Sequence, residues 1–220
     1  MTTPVHRATP RADPPLGAIL AGGASRRFGS PKALATVGGR TIGERVRDAF
    51  AEAVGRVVLV TSEPELFTTL GLDSRPDARP GMGPVAGIET ALRWAVEEGR
   101  PGALVAACDM PFLAPRALRL LVDLAASASP SPDAVAVRMD DERSPPLCAY
   151  LSVRCLPAVE RVLAGDDRSV RALLASVATL WMPVEEIARV RDPHTMFFNV
   201  NTPGDLRRAE RIARELDERA

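Results

Sequence analysis

Leu20-Ala21-Gly22-Gly23-Ala24-Ser25-Arg26-Arg27-Phe28-Gly29-Ser30-Pro31-Lys32 follows the apolar run Gly17 to Leu20 and precedes a helical pattern. A strand, a glycine turn and a helix in that order open an α/β fold, and the turn is a phosphate-binding loop candidate. Gly22 and Gly23 let the backbone turn sharply and approach a ligand, so that successive N–H groups can face one anion. Arg26, Arg27 and Lys32 surround that cradle with positive charge. No Gly-Lys-Ser/Thr triplet follows, and the third-glycine spacing of a dinucleotide fingerprint is missing, so a different nucleotide-handling loop is implied.

Lys32 is the only lysine among 28 Lys plus Arg residues. A chain that writes arginine for every other cation has kept a compact, mobile ammonium beside the glycines. Such a group suits a point contact with a phosphate whose charge changes during reaction, where a planar fork fits worse. A solvated loop lysine is the plain alternative.

Outward from the loop, Ile42, Val46, Ala49, Phe50 and Ala53 share one face of a helix over Thr41 to Ala53. Arg56 to Thr61 is a Val-rich run short enough for a strand buried on both faces, as parallel sheets require. Arg75 to Ile88 holds a rigid loop, Pro76-Asp77-Ala78-Arg79-Pro80-Gly81-Met82-Gly83-Pro84, ahead of a helix carrying Val85, Ile88, Leu92 and Val96 at helical spacing. Pro84 suits its first turn. Asp77 at the loop's start is either a turn residue bonding its own backbone or a carboxylate facing a ligand.

Ala103 to Ala107 is a further short apolar strand ending in Cys108-Asp109-Met110-Pro111. An acid at the carboxyl end of a buried parallel strand lies where α/β folds bind ligands, which makes Asp109 the metal candidate. Mg²⁺ takes one or two protein carboxylates and fills its other positions with water and substrate phosphate, so one Asp suffices. The alternative, a cap for the helix starting near Pro115, lies rather far downstream. Ser127 to Asp133 reads as a loop, Ala134 to Arg138 and Leu147 to Leu151 as strands, and Val153 to Leu163 and Ser169 to Val177 as helices.

The chain holds only two asparagines and no glutamine, and both asparagines fall in Phe197-Phe198-Asn199-Val200-Asn201-Thr202-Pro203. Two apart on a strand, Asn199 and Asn201 would share a face and offer neutral donors and acceptors to one site. Thr202 and Pro203 also read as a helix start, and Leu206, Ala209, Ile212 and Leu216 as a closing amphipathic helix.

Composition sets the bounds. At 220 residues with formal net charge zero, the expectation is a disordered Pro-rich tail over residues 1–15 and one domain over 16–220. No basic patch suggests a nucleic-acid partner, and no apolar run suggests a membrane span or secretory signal, so a cytoplasmic protein is expected. Cys108, Cys148 and Cys155 form no Cys-x-x-Cys pair, and the histidines, His6 and His194, offer few nucleophilic pairings.

With these motifs in hand, the chain resembles the molybdenum cofactor guanylyltransferases, a family of nucleotidyltransferases. Their loop pattern Leu-Ala-Gly-Gly-x-Ser-x-Arg-x-Gly is matched at Leu20, Ala21, Gly22, Gly23, Ser25, Arg27 and Gly29; Phe28 and Pro31 stand where the family usually has Met and Asp. Gly83 to Ile88 match its Gly-Pro-x-Ala-Gly-Ile segment, Cys108 to Pro111 its Cys-Asp-Met-Pro, and Asn199 to Pro203 its Asn-x-Asn-Thr-Pro. The resemblance implies a three-layer, Rossmann-like fold with a mostly parallel sheet. It implies transfer of GMP from MgGTP to molybdenum-molybdopterin, with Lys32, Arg27 and Asp109 in catalysis and Asp109 on Mg²⁺. Nucleotide binding would fall to Leu20, Ala21, Gly22, Gly23, Lys32, Asp77 and Asp109, Asp77 meeting the guanosine. Asn199, Asn201 and Arg143, the last beside a segment like the family's Ser144-Pro145-Pro146-Leu147, would lie toward the second substrate. Molybdoenzymes or cofactor-biosynthesis proteins are the implied protein partners. The rivals are a cytidylyltransferase for the same cofactor, a guanylyltransferase for another small phosphate, and a non-catalytic molybdopterin carrier.

Overall fold

A computed structural model describes residues 13–22, 32–139 and 147–218. Nine strands lie among them: β1 (Leu16–Leu20), β2 (Thr36–Val37), β3 (Arg40–Thr41), β4 (Val57–Val60), β5 (Asp73–Arg75), β6 (Gly102–Ala107), β7 (Ala134–Arg138), β8 (Cys148–Ser152) and β9 (Thr179–Pro183). The helices are α1 (Ile42–Val54), α2 (Pro84–Glu97), α3 (Pro115–Ser127), α4 (Leu156–Ala164), α5 (Val170–Ala175), α6 (Val184–Ala188), α7 (Pro193–Met196) and α8 (Pro203–Asp217).

Seven strands form one sheet in the order β5-β4-β1-β6-β8-β7-β9, and β2 and β3 make a small antiparallel pair. β5, β4, β1 and β6 are mutually parallel, as are β7 and β9. β8 runs antiparallel to both β6 and β7. Runs such as Val57-Val58-Leu59-Val60 are buried along their whole length because helices cover both faces. Alternation divides each strand between two cores: Ile19 of β1 packs with α1 and α3, while Leu16, Ala18 and Leu20 pack with α2, α4 and α5. The three-layer α/β architecture and mostly parallel sheet match the expectation, with one inserted antiparallel strand.

The sheet delivers several chain segments to one edge. Leu20 pairs with Ala107, so the carboxyl ends of β1 and β6 stand side by side. The turns leaving them are stitched together, the Cys108 N–H donating to the Leu20 carbonyl at 3.1 Å and the Ala21 N–H to the Val60 carbonyl at 2.9 Å. Two expectations for local structure change. Residues 199–201 form no strand; a single backbone bond, from the Val200 N–H to the Asp109 carbonyl at 2.9 Å, ties them to the sheet's end. The helix expected over Val153 to Leu163 is a 3-10 turn, Val153–Cys155, followed by α4, because Pro157 sits in the first turn of α4 and cannot donate to the preceding turn.

Residues 1–12 of the expected tail lie outside the described residues, and 13–15 form no element, although Pro15 is buried and the Pro14 carbonyl accepts from Arg100 Nη1 at 2.8 Å. No helix among the described residues is long and apolar enough to cross a membrane.

Candidate active site

Lys32 opens a 3-10 turn, Lys32–Leu34, that packs on α1. Its ammonium donates to Asn201 Oδ1 at 2.5 Å and lies 3.6 Å from Asp109 Oδ2. Residues 32, 109 and 201, far apart in sequence, thus meet at the carboxyl end of the sheet. The side chains of Lys32 and Asp109 are 22% and 18% exposed, so the pair is sheltered and still open to a ligand. Val200 completes the arrangement by bonding the Asp109 backbone, which brings Asn201 to Lys32.

Asp109 Oδ1 is buried and has no hydrogen-bond partner among the described residues. A buried, unpaired carboxylate oxygen is costly and calls for a partner. Burial pushes the Asp109 carboxyl above the usual carboxylate range, and the Lys32 ammonium pulls the other way. A cation would satisfy that oxygen. No cluster of three or more His, Cys, Asp or Glu side chains that could hold a metal occurs among the described residues. A divalent ion here would take Asp109 and complete its shell with water or phosphate oxygens, which is how Mg²⁺ ordinarily binds, so the residues fit such an ion. The neighbouring Cys108 thiol is pushed up to about 12, by burial first and then by Asp109, so it is neutral near pH 7.

Asp77 follows β5 and reaches back over the sheet's end. A Cβ on Gly22 would stand 3.2 Å from Asp77 Oδ2, and a Cβ on Gly87 would stand 3.2 Å from Asp77 Oδ1 and 3.1 Å from Leu20 Cδ1. The carboxylate therefore occupies a slot between the glycine turn and the first turns of α2, on ground that two missing side chains leave clear. Burial pushes the Asp77 carboxyl above its usual range. In the sequence Gly87 is marked only by its place in a matched segment and as a glycine inside an otherwise good helix, a pattern that often signals close approach.

Asn199 is exposed, and the two amides do not share a partner: Asn201 holds Lys32, whereas Asn199 makes no hydrogen bond recorded among the described residues. Thr202 caps α8, its hydroxyl accepting from the Asp205 N–H at 3.2 Å, and Asp205 Oδ2 accepts from the N–H groups of Asn201 and Thr202 at 3.0 and 2.8 Å. Cap and site are thus joined through one carboxylate. Gly23, Arg27 and Arg143 lie outside the described residues.

Gly22, just past the first strand of a largely parallel sheet, and the sheltered Lys32–Asp109 pair stand at the carboxyl edge where α/β folds of the nucleotide-handling class bind their ligands. Residues 17–180 match the MobA-like NTP transferase domain. The chain belongs to the MobA-like NTP transferase family. It is 35% identical to the probable molybdenum cofactor guanylyltransferase of Pelotomaculum thermopropionicum, over 90% of this chain and 92% of that one. It is 34% identical to the molybdenum cofactor guanylyltransferase of Rhizobium meliloti, over 93% and 94%. Among solved structures, molybdopterin-guanine dinucleotide biosynthesis protein A of Archaeoglobus fulgidus superposes with a TM-score of 0.76 at 29% identity, covering 91% of this chain and 99% of that one.

Proposed function

We propose that this chain transfers GMP from MgGTP to the terminal phosphate of molybdenum-molybdopterin, forming the guanine dinucleotide cofactor and releasing pyrophosphate. The observation that carries the reading is the meeting of Lys32, Asp109 and Asn201 at one end of the sheet in a chain whose full-length relatives bear that name. An acceptor phosphate oxygen attacks the α-phosphorus of GTP; the new P–O bond forms as the bond to the β-phosphate breaks, and pyrophosphate takes that electron pair. No protein nucleophile is needed, since such transfers depend on positioning and on offsetting charge.

Lys32 meets the charge on the reacting phosphates, and Asn201 aims its ammonium. Asp109 would hold Mg²⁺, which would supply charge neutralisation to the reacting phosphates. Backbone N–H groups of Leu20, Ala21, Gly22 and Gly23 would hold the leaving phosphates, and Arg27 is assigned to catalysis by its match to the family's loop. Asp77 accepts the N1–H and N2–H of guanine, a pair of adjacent donors that cytosine does not offer. Asn199 and Arg143 are assigned to the second substrate, and no nucleic acid or membrane takes part. Cytoplasm is the compartment in which GTP and the acceptor meet.

Steady-state kinetics with GTP and CTP in the presence of the acceptor test this reading. A site built to pair polar groups rejects a base that leaves them unpaired, and kcat/KM for GTP is expected to exceed that for CTP by up to about four orders of magnitude. Asp77→Ala should lower GTP use and leave CTP use nearly as it was. Equal use of both, or a preference for CTP, would transfer the assignment to the cytidylyltransferase; absence of pyrophosphate release with either would favour a carrier.

A further inference from the structure

Behind Asp77, α2 carries an acid that no step of the proposed reaction uses. Glu89 is 2% exposed and is the one charged side chain among the fully buried described residues. A buried carboxylate is tolerated only when it is paired and hydrogen-bonded. Glu89 accepts from Arg79 Nε at 2.9 Å through one oxygen, and from Arg93 Nε and Nη2 at 3.1 and 2.9 Å through the other. Arg93 is held in turn by Glu160 of α4 at 2.7 Å. The next residue of α2 acts on the same loop. The Ala78 N–H donates to Thr90 Oγ1 at 2.9 Å, and that hydroxyl donates to the Ala86 carbonyl at 3.2 Å.

Both residues that follow Asp77 are therefore fastened to a buried stretch of helix, Ala78 by its backbone and Arg79 by its side chain. Asp77 itself stands in the slot between Gly22 and Gly87. A loop left to itself would sample positions over more than the tolerance of a hydrogen-bonded base, whereas a loop pinned to a helix at successive residues keeps its carboxylate in register.

We propose that Glu89 and Thr90 are positioning residues for nucleotide choice: they clamp residues 78–79 to α2 so that the Asp77 carboxylate stays aimed at the base, and this clamp sets the preference for guanine over a base lacking the 2-amino group. The inference rests on Asp77 reading the guanine edge, as proposed above. The clamp touches neither substrate nor metal, so its loss should change base preference rather than the chemistry.

Equilibrium binding of GTP and ITP to the full chain with Mg²⁺, without acceptor, reads this directly, because the two nucleotides differ only in the 2-amino group. The parent is expected to favour GTP by about tenfold or more, the range of one charge-assisted hydrogen bond. Asp77→Ala should bring the ratio near unity. Arg79→Ala and Glu89→Gln should each lower it by about fivefold, the loss falling more heavily on GTP than on ITP because ITP keeps only the N1–H for a misaimed carboxylate to lose. Arg79 is 40% exposed, so its variant is expected to fold, and with Thr90→Val it decides the matter if Glu89→Gln does not fold. Parental ratios in the clamp variants beside a lost ratio in Asp77→Ala overturn the clamp and leave base reading standing. A parental ratio in Asp77→Ala overturns base reading and the clamp with it.

Discussion

Asp77 is an acid that the fold makes harder to ionise, burial holding its carboxyl above the ordinary range. The folded protein then binds that proton more tightly than the unfolded chain does, so stability falls as pH rises from the ordinary aspartate pKa through the higher folded value. Asp77→Asn removes the cost: the nucleotide-free variant is expected to melt above the parent at pH 7 and to match it near pH 3, while guanine preference is lost. A lower melting temperature at pH 7 would mean that the carboxylate is stabilised where it stands. Lys32→Ala tests the opposite corner of the site. Removing a donor aimed at developing charge should lower kcat by about two to three orders of magnitude, with the variant still folded; parental turnover would refute the role. At this scale the sequence was informative where a residue type was rare. A lone lysine and two lone amides pointed to Lys32 and Asn201, which do meet, but rarity carried no geometry, and Asn199 shares no partner with Asn201.

Among the elements, α8 reaches the site through its first turn. Burial pushes the Asp205 carboxyl up, but hydrogen bonds from the Thr202 hydroxyl and from the N–H groups of Asn201 and Thr202 outweigh it and hold the group below the usual range. The capping contribution is therefore complete above the ordinary aspartate pKa and is lost as pH falls through the lower folded value. Thr202→Val should cost roughly 1 kcal/mol of stability by removing the cap, and Asn201→Ala should lower turnover with a smaller change in melting. Thermal scans and kinetics on the two variants check the division, and reversed effects would make Asn201 a structural residue only. Long, strongly patterned elements were legible from the residues: α1, α2 and the buried runs of β1, β4 and β6 stand where periodicity puts them. β5 was not, since Asp73-Ser74-Arg75 is polar, three residues long and an edge, too short to show a period. The direction of β8 was not either. Every residue of Cys148–Ser152 is buried, and a strand covered on both faces carries the same pattern whichever way it runs. The missing strand at 199–201 has the same origin, because pairing depends on a neighbour and not on the segment's own residues.

At the scale of the whole molecule, the candidate site draws on the ends of β1, β5 and β6 and on the segment ahead of α8, so a ligand that touches all of them binds the folded chain alone. GTP with Mg²⁺ at about one hundred times its Kd should stabilise the protein by about 2.7 kcal/mol, or roughly 5 to 11 °C in melting temperature for a chain of this size. Chelating the metal should remove most of that shift, and Asp109→Asn should show little metal dependence to begin with. A shift that survives chelation in the parent would count against the metal assignment. The same assembly gives Lys32 an unusual chemical standing. It is the sole lysine in 220 residues, and its amine lies between Asn201 and Asp109 at the mouth of the site. An amine-directed reagent therefore finds one side chain in the entire protein, besides the chain's α-amino group, and under the proposed function bound nucleotide would cover it. Acylation would strike reaction centre and label together, inactivation should track a single added mass, and GTP should shield both. A protein so poor in lysine carries, in effect, its own active-site titrant's address, readable by mass spectrometry without a mutation.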